Sequence, residues 1–230
     1  KHLRALARYD GVVHAHVDEQ PSEIEQCLAE HGCRPLEIFE QAGLLTDRFA
    51  AVHFTHPNAQ EIELLHRRGA KVVACPTTEM DLGDGFLPIE ALSGVSISIG
   101  TDSHVRIDPL AELRALEWHA RARLGRRCVT RKSEDPEALA MGLLHHGTRA
   151  GAEALDLNTG VLEVGTAADL IAIDCDVTPL CSGPLATNWV FSGQPSFVRE
   201  LWVEGEQLLW DGRHLNEEAI RAAAMPYLEK

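Results

Sequence analysis

Gly11-Val-Val-His-Ala-His-Val-Asp-Glu-Gln20 is the stretch on which the fold turns. A short β-branched run ends in two histidines one residue apart. A glutamate stands three residues after the second, and Pro21 opens a helical pattern. Strand, polar cluster, helix is the order in which an α/β barrel presents chemistry, because side chains at the C-terminal ends of its strands converge on one mouth. Neutral imidazole is a good ligand for Zn²⁺ or Fe²⁺, and a carboxylate close by can carry protons for an activated water. With 12 histidines in 230 residues, one His-x-His also fits an ordinary core or surface role, so the neighbouring segments must decide.

Downstream, the pattern alternates. A strand at 12–17 precedes a helix at 21–31, and Pro35 opens a shorter helix stopped by Gly43 in a C-cap role. Ala50-Ala-Val-His-Phe-Thr-His56 reads as the second strand, 58–68 as a helix ended by Gly69, and Lys71-Val-Val-Ala-Cys75 as the third strand. Pro76 to Gly85 is a polar stretch, long for a barrel loop and expected to be functional. Pro88 to Leu92 is a helical turn, and Val95 to Gly100 is a fourth strand running into Thr101-Asp-Ser-His104. Four strands alternating with helices predict a parallel sheet with right-handed crossovers.

Two helices, 109–124 and 136–150, are expected next. Gly160 to Asp174 then reads as a turn and a strand. Asn188-Trp-Val-Phe, Phe197 to Val203 and Glu206 to Trp210 read as further strands, the last two as a hairpin around Gly205. A final helix is expected at 215–228.

Composition narrows the function classes. The 45% hydrophobic content supports a sizeable core, and no apolar run is long enough to span a bilayer. Lys1-His-Leu-Arg4 reads as a helix end rather than a signal peptide. Six cysteines at 27, 33, 75, 128, 175 and 181 form no CxxC pair, which suits reduced thiols in a cytoplasm. A net charge of −14 argues against nucleic acid and anionic membrane as partners. A small-molecule substrate is the expected ligand.

Each strand delivers a polar group at its C-terminal end: His16 and Glu19, then His53 with His56, then the Thr77–Glu79 segment, then Asp102 with His104. Singly, each has a plain explanation. Asp102-Ser103 could cap a helix, His53 could be a core histidine, and His56-Pro-Asn58 could be a turn with an N-cap. Together, at the ends of parallel strands in one half-sheet, they converge on a single ion site.

These residues resemble the amidohydrolase superfamily of metal-dependent hydrolases. The resemblance covers nearly the whole chain, including a Gly160–Asp174 segment of the pattern GxLxxGxxADLxxxD. It implies that His16 matches the metal ligand after barrel strand 5, with Glu19 as acid/base, and that His53 matches the position after strand 6 and Asp102 the ligand after strand 8. The implied roles are His16 and Asp102 on the metal, and Glu19, His53 and Asp102 in catalysis; substrate-binding residues are not assigned. Arg106 stands near the rim but reads as a solvated surface side chain. One divalent ion per site, zinc or iron, is implied.

Within the superfamily the motifs look most like those of the formimidoylglutamate deiminases, notably Cys75-Pro-Thr-Thr-Glu-Met-Asp-Leu-Gly-Asp-Gly85, where nucleobase deaminases and chlorohydrolases usually carry CPxSN. The implied reaction converts N-formimino-L-glutamate to N-formyl-L-glutamate and ammonia, a step of histidine degradation. The alternatives are a deaminase or chlorohydrolase acting on a purine, pyrimidine or triazine ring, or a non-catalytic half needing a partner chain. The family's strand-1 His-x-His is absent. The expected fold is therefore α/β, the C-terminal half (strands 5–8) of a TIM-type (β/α)₈ barrel over 1–156. Part of a small β-sandwich over 157–212 and a C-terminal helix over 213–230 complete it. The N-terminal half of the same enzyme and a second copy in a homodimer are the expected protein partners.

Overall fold

A computed structural model describes residues 2–176, 180 and 182–228. Lys1, Cys181 and residues 229–230, which the readings above include, lie outside the described residues. After α1 (His2–Leu6) the chain alternates: β1 (Val13–Val17), α2 (Pro21–His31), α3 (Pro35–Ala42), β2 (Phe49–His53), α4 (Ala59–Arg68), β3 (Lys71–Ala74), α5 (Pro76–Leu82), a 3₁₀ turn (Ile89–Leu92), β4 (Ile97–Ile99) and α6 (Pro109–Leu124). The four strands form one parallel sheet in the order β1-β2-β3-β4, as the alternation predicts. Proline in the first turn starts α2, α3 and α6, and Gly43 (φ 78°) and Gly69 (φ 67°) end α3 and α4 in the left-handed conformation.

The period of two divides the sheet into two faces. Val17, Phe49, Ala51, Val72, Ala74 and Ile97 point into the main core, where Leu36, Leu65, Leu92, Leu113, Leu116 and Leu143 cover them. The alternate residues carry a much smaller cluster of Ala50, Val73 and Cys75 with Val52. On that second face His14 and His16 of the edge strand are exposed.

Three sequence expectations need correction. The expected Pro76–Gly85 loop is mostly helix: α5 follows β3 directly, with Thr77, Thr78 and Glu79 buried. The expected helix 136–150 is two, α7 (Ala138–Gly147) and α8 (Arg149–Ala154), broken at Thr148 (φ −125°, ψ −92°). Gly160 crosses that break so closely that a Cβ there would sit 2.8 Å from the Thr148 and Arg149 backbone. After β5 (Leu170–Ile173), the expected strand Asn188–Phe191 lies in a helix, α9 (Leu185–Ser192). Trp189 packs with Leu110 and Leu180 while the adjacent Val190 enters the main core, contacts no half-buried strand would share between neighbours. Arg114 on α6 donates to the carbonyls of Val190 (2.7 Å) and Gly193 (2.8 Å), closing the end of α9.

The chain ends in β6 (Val198–Val203), β7 (Glu206–Trp210), β8 (Arg213–His214) and α10 (Glu217–Leu228). With β5 these strands form an antiparallel sheet in the order β5-β6-β7-β8. Its tight turn is the expected one: Glu204 (φ 52°) and Gly205 (φ 82°) both have positive φ, as a two-residue hairpin requires. Asp169 ties the turn down by accepting from the Glu204 N–H at 2.7 Å. Among the described residues no helix is long and apolar enough to cross a membrane. Cys27, Cys33, Cys75, Cys128 and Cys175 are free thiols.

Candidate active site

Backbone geometry singles out the C-terminal edge of the parallel sheet. Non-glycine residues adopt positive φ at Asp18 (54°) after β1, at His53 (69°) and Phe54 (53°) after β2, and at Asp102 (43°) and His104 (55°) after β4. Such conformations cost free energy and persist where surrounding contacts hold them, commonly at functional sites. Here the contacts are visible. Phe54 N–H donates to the Val17 carbonyl, and the N–H groups of Thr55 and His56 both donate to the Asp18 carbonyl, at 3.0–3.1 Å. The ends of β1 and β2 are stitched together, and their side chains are thrown toward the mouth.

His16, Glu19 and His53 meet there, each offering a ligand atom within 4.8 Å of the others. The two imidazoles lie edge to face, centroids 5.0 Å apart. His53 is fully buried, yet among the described residues neither ring nitrogen has a hydrogen-bond partner. Nε2 is 3.6 Å from a Glu19 oxygen, and Nδ1 is 3.5 Å from a Glu79 oxygen. Most buried polar atoms find a partner, and this ring leaves both of its nitrogens without one among the described residues. Burial pulls the His53 pKa down, but the carboxylates of Glu79, Glu19 and Asp102 outweigh it and raise it overall. Burial pushes Glu19 up as well. Asp84 adds to that rise, while His53 and His16 oppose it.

Asp102 stands apart from this trio. It is half-buried at the end of β4, close enough for its charge to bear on His53. The helix-cap explanation for it fails, since α6 is capped by Asp108, which accepts from Leu110 and Ala111 N–H. His104 and Arg106 are exposed. His56 serves a loop instead, its Nε2 2.6 Å from the Asp84 carbonyl, and Asn58 caps α4 as the turn reading expects. His14 contacts the Ala154 carbonyl at 2.8 Å.

Three further groups were given no role by the sequence, although the Thr77–Glu79 segment was marked at its strand end. Glu79 is buried on α5, and its Oε1 accepts the Cys75 N–H at 2.8 Å. A proline at the first helical position with a glutamate three residues later marks a helix start, and that signal was available in Cys75-Pro-Thr-Thr-Glu79. Asp84, also buried, accepts from the Gln20 amide at 2.8 Å and lies beside Glu19. Behind the trio, Arg34 donates to Glu61 and to the His56 carbonyl, both at 2.6 Å, and stands 3.6 Å from the buried Asp18. Burial, with Glu61 beside it, pushes the Asp18 pKa up to about 8 against the opposing pull of Arg34.

The His16 imidazole and the Asp102 carboxylate at these strand ends are donor types that suit a borderline divalent ion such as zinc, and Glu19 and His53 stand beside His16. Fold and site together are those of half an α/β barrel with a cluster of candidate metal ligands at its mouth. The family model of the amidohydrolase family matches residues 1–208, and the chain belongs to that family. It is 35% identical to formimidoylglutamate deiminase of Pseudomonas aeruginosa over 97% of this chain and 50% of the relative. It is 36% identical to 5-methylthioadenosine/S-adenosylhomocysteine deaminase of Halobacterium salinarum over 96% of this chain and 52% of the relative. The solved adenosine deaminase of Xanthomonas campestris with bound zinc superposes with a TM-score of 0.83 at 29% identity, covering 98% of this chain and 52% of that one. The chain thus spans about half the length of the relatives it matches.

Proposed function

We propose that these residues form the acid/base half of a mononuclear metal-dependent deiminase. Its reaction is the hydrolysis of N-formimino-L-glutamate to N-formyl-L-glutamate and ammonia. The observation that carries the reading is the convergence of His16, Glu19 and His53 at adjacent strand ends. The substrate rests on the Cys75–Gly85 sequence and on the likeness to the Pseudomonas deiminase.

A divalent ion here would be held by His16 and Asp102, with its remaining ligands from the N-terminal half of the same enzyme. A divalent ion at this place supplies a water acidic enough to ionise near neutral pH. Asp102 takes the proton of the attacking water, and His53 orients that water. Glu19, whose carboxyl burial keeps protonated to higher pH, gives its proton to the departing nitrogen so that ammonia leaves. Each carboxylate keeps one task because its surroundings differ: Glu19 is set among Asp84, His53 and His16, and Asp102 at the far strand end.

A second reading has support of equal weight. The Halobacterium relative, a deaminase named for purine nucleosides, is as similar as the Pseudomonas one, so an adenine-type ring is the rival substrate. The experiment assays ammonia release by the full-length enzyme from N-formimino-L-glutamate and from 5-methylthioadenosine. A kcat/KM for the amidine at least a hundredfold higher supports the first reading, and the reverse order replaces it with the second. His16→Ala and Asp102→Ala, in the same enzyme, are expected to lose stoichiometric metal by elemental analysis. Full retention by both would remove them as ligands.

A further inference from the structure

We propose that Glu79 is the positioning residue for His53. Its buried carboxylate receives the imidazole Nδ1–H, fixing the tautomer and turning Nε2 toward Glu19 and the reacting centre. The reactive consequence rests on the function proposed above; the tautomer stands on geometry alone.

A neutral imidazole with no exposed surface must place its one N–H somewhere, because a buried donor left without a partner costs free energy. Two carboxylates flank the ring on opposite sides, Glu79 at Nδ1 (3.5 Å) and Glu19 at Nε2 (3.6 Å). They are not equivalent. Glu19 sits at the half-exposed mouth, where substrate must pass. Glu79 is 1% exposed and anchored: its Oε1, the oxygen 3.5 Å from Nδ1, also accepts the Cys75 N–H, and its Oε2 has no hydrogen-bond partner among the described residues. Its helix is held on two sides. Thr77 donates through both N–H (3.0 Å) and hydroxyl (2.5 Å) to the buried Glu112, and the Thr78 hydroxyl lies 3.0 Å from that of Ser103.

Glu79 is therefore the fixed acceptor and Glu19 the movable group. A shift of a few tenths of an ångström brings the 3.5 Å contact to hydrogen-bond length, the tightening expected when a site closes on its ligands. A second carboxylate behind the ring also keeps Nδ1 from serving as an alternative ligand atom. The imidazole then presents one nitrogen, in one orientation, to the mouth. Histidines that act at metal centres are commonly oriented in this way through their other nitrogen.

The test uses the full-length enzyme labelled with ¹⁵N-histidine, with the His53 signals assigned by their loss in His53→Gln. Long-range ¹H–¹⁵N spectra should show the proton on Nδ1 in the parent. Glu79→Gln, which keeps the shape and the bond to Cys75, should change the His53 nitrogen shifts and lower kcat roughly ten- to a hundredfold. KM should stay within about threefold and the metal content should not change, a split that loss of folding would not produce. A parent proton on Nε2 overturns the proposal, as does a Glu79→Gln enzyme with unchanged His53 shifts and kcat. If Glu79→Gln does not fold, the parent spectrum alone decides. If the parent turns over neither substrate, the function fails while the tautomer result still stands.

Discussion

Two side chains show how burial converts an ordinary residue into a tuned one. Glu19 is held partly out of water between Asp84 and His53, and its proposed task is to deliver one proton. Glu19→Gln in the full-length enzyme keeps the size and the metal but removes the acid. Turnover should fall by about 10²–10⁴ while zinc stoichiometry holds; near-normal ammonia release would reject the role. His119 is a structural counterpart on α6, 5% exposed and stacked on Phe86 with ring centroids 4.5 Å apart. Burial lowers its pKa from 6.5 to about 4, so the folded state tolerates only the neutral ring. The unfolded chain binds that proton more readily. Stability from this group is therefore complete above pH 6.5 and lost as pH falls from 6.5 toward 4. Between pH 7 and pH 5 the loss is about 2 kcal/mol. Urea unfolding of His119→Leu should show a pH slope smaller than the parent's by that amount. Identical slopes would mean that His119 is protonated in the fold.

At the scale of elements, the mouth depends on helix starts packed behind it. Arg34, just ahead of α3, bridges Glu61 in the first turn of α4, the His56 carbonyl after β2, and Asp18 after β1. Arg34→Ala leaves two buried carboxyl groups side by side without their cation. The expected cost is about 2–4 kcal/mol, read from the denaturant midpoint. A change below about 1 kcal/mol would show that Asp18 and Glu61 share a proton well enough without it. Much of this architecture was legible because local chemistry and tertiary demand agree. Proline starts and glycine stops bound α2 and α6 at 21–31 and 109–124, and β-branched runs mark the parallel strands.

Legibility ended where long-range packing overrode local pattern. Asn188-Trp-Val-Phe191 has strand-like composition, but it packs as the helix α9, with Trp189 and Val190 in two separate clusters and Arg114 holding the carbonyls of Val190 and Gly193 at its end. Gly147-Thr148 breaks a continuous helical pattern because the Gly160 turn must cross there. In the site, His16, Glu19 and His53 were readable from strand-end positions. The Thr77–Glu79 segment was marked only by its position, because what Glu79 and Asp84 do there comes from burial against residues far along the chain.

For the whole molecule, the decisive feature is the sheet that carries the site. In the order β1-β2-β3-β4 the outer strands each lack a neighbour on one side among the described residues, and an exposed strand edge is a template for further pairing. The face bearing His14 and His16 has only the small Ala50–Val73–Cys75 cluster over it, whereas a closed barrel fills that space with layers from opposite strands. Nearby, Leu155, Leu157 and Leu162 are exposed around a cavity of about 590 Å³ between α8 and β5. Apolar surface of this kind marks a place that another segment covers. We therefore propose that residues 1–230 alone form an open half-barrel that associates through these edges and releases no ammonia. The N-terminal half of the enzyme, or less completely a second copy, would supply the missing strands. Light scattering of the isolated chain should report dimers or larger species, and ammonia assays should give no turnover. Addition of the N-terminal half should shift the size distribution toward one complex and restore activity. A well-folded monomer of the 230 residues that hydrolyses N-formimino-L-glutamate would overturn this, because a site built from His16, Glu19, His53 and Asp102 would then suffice without opposing strands.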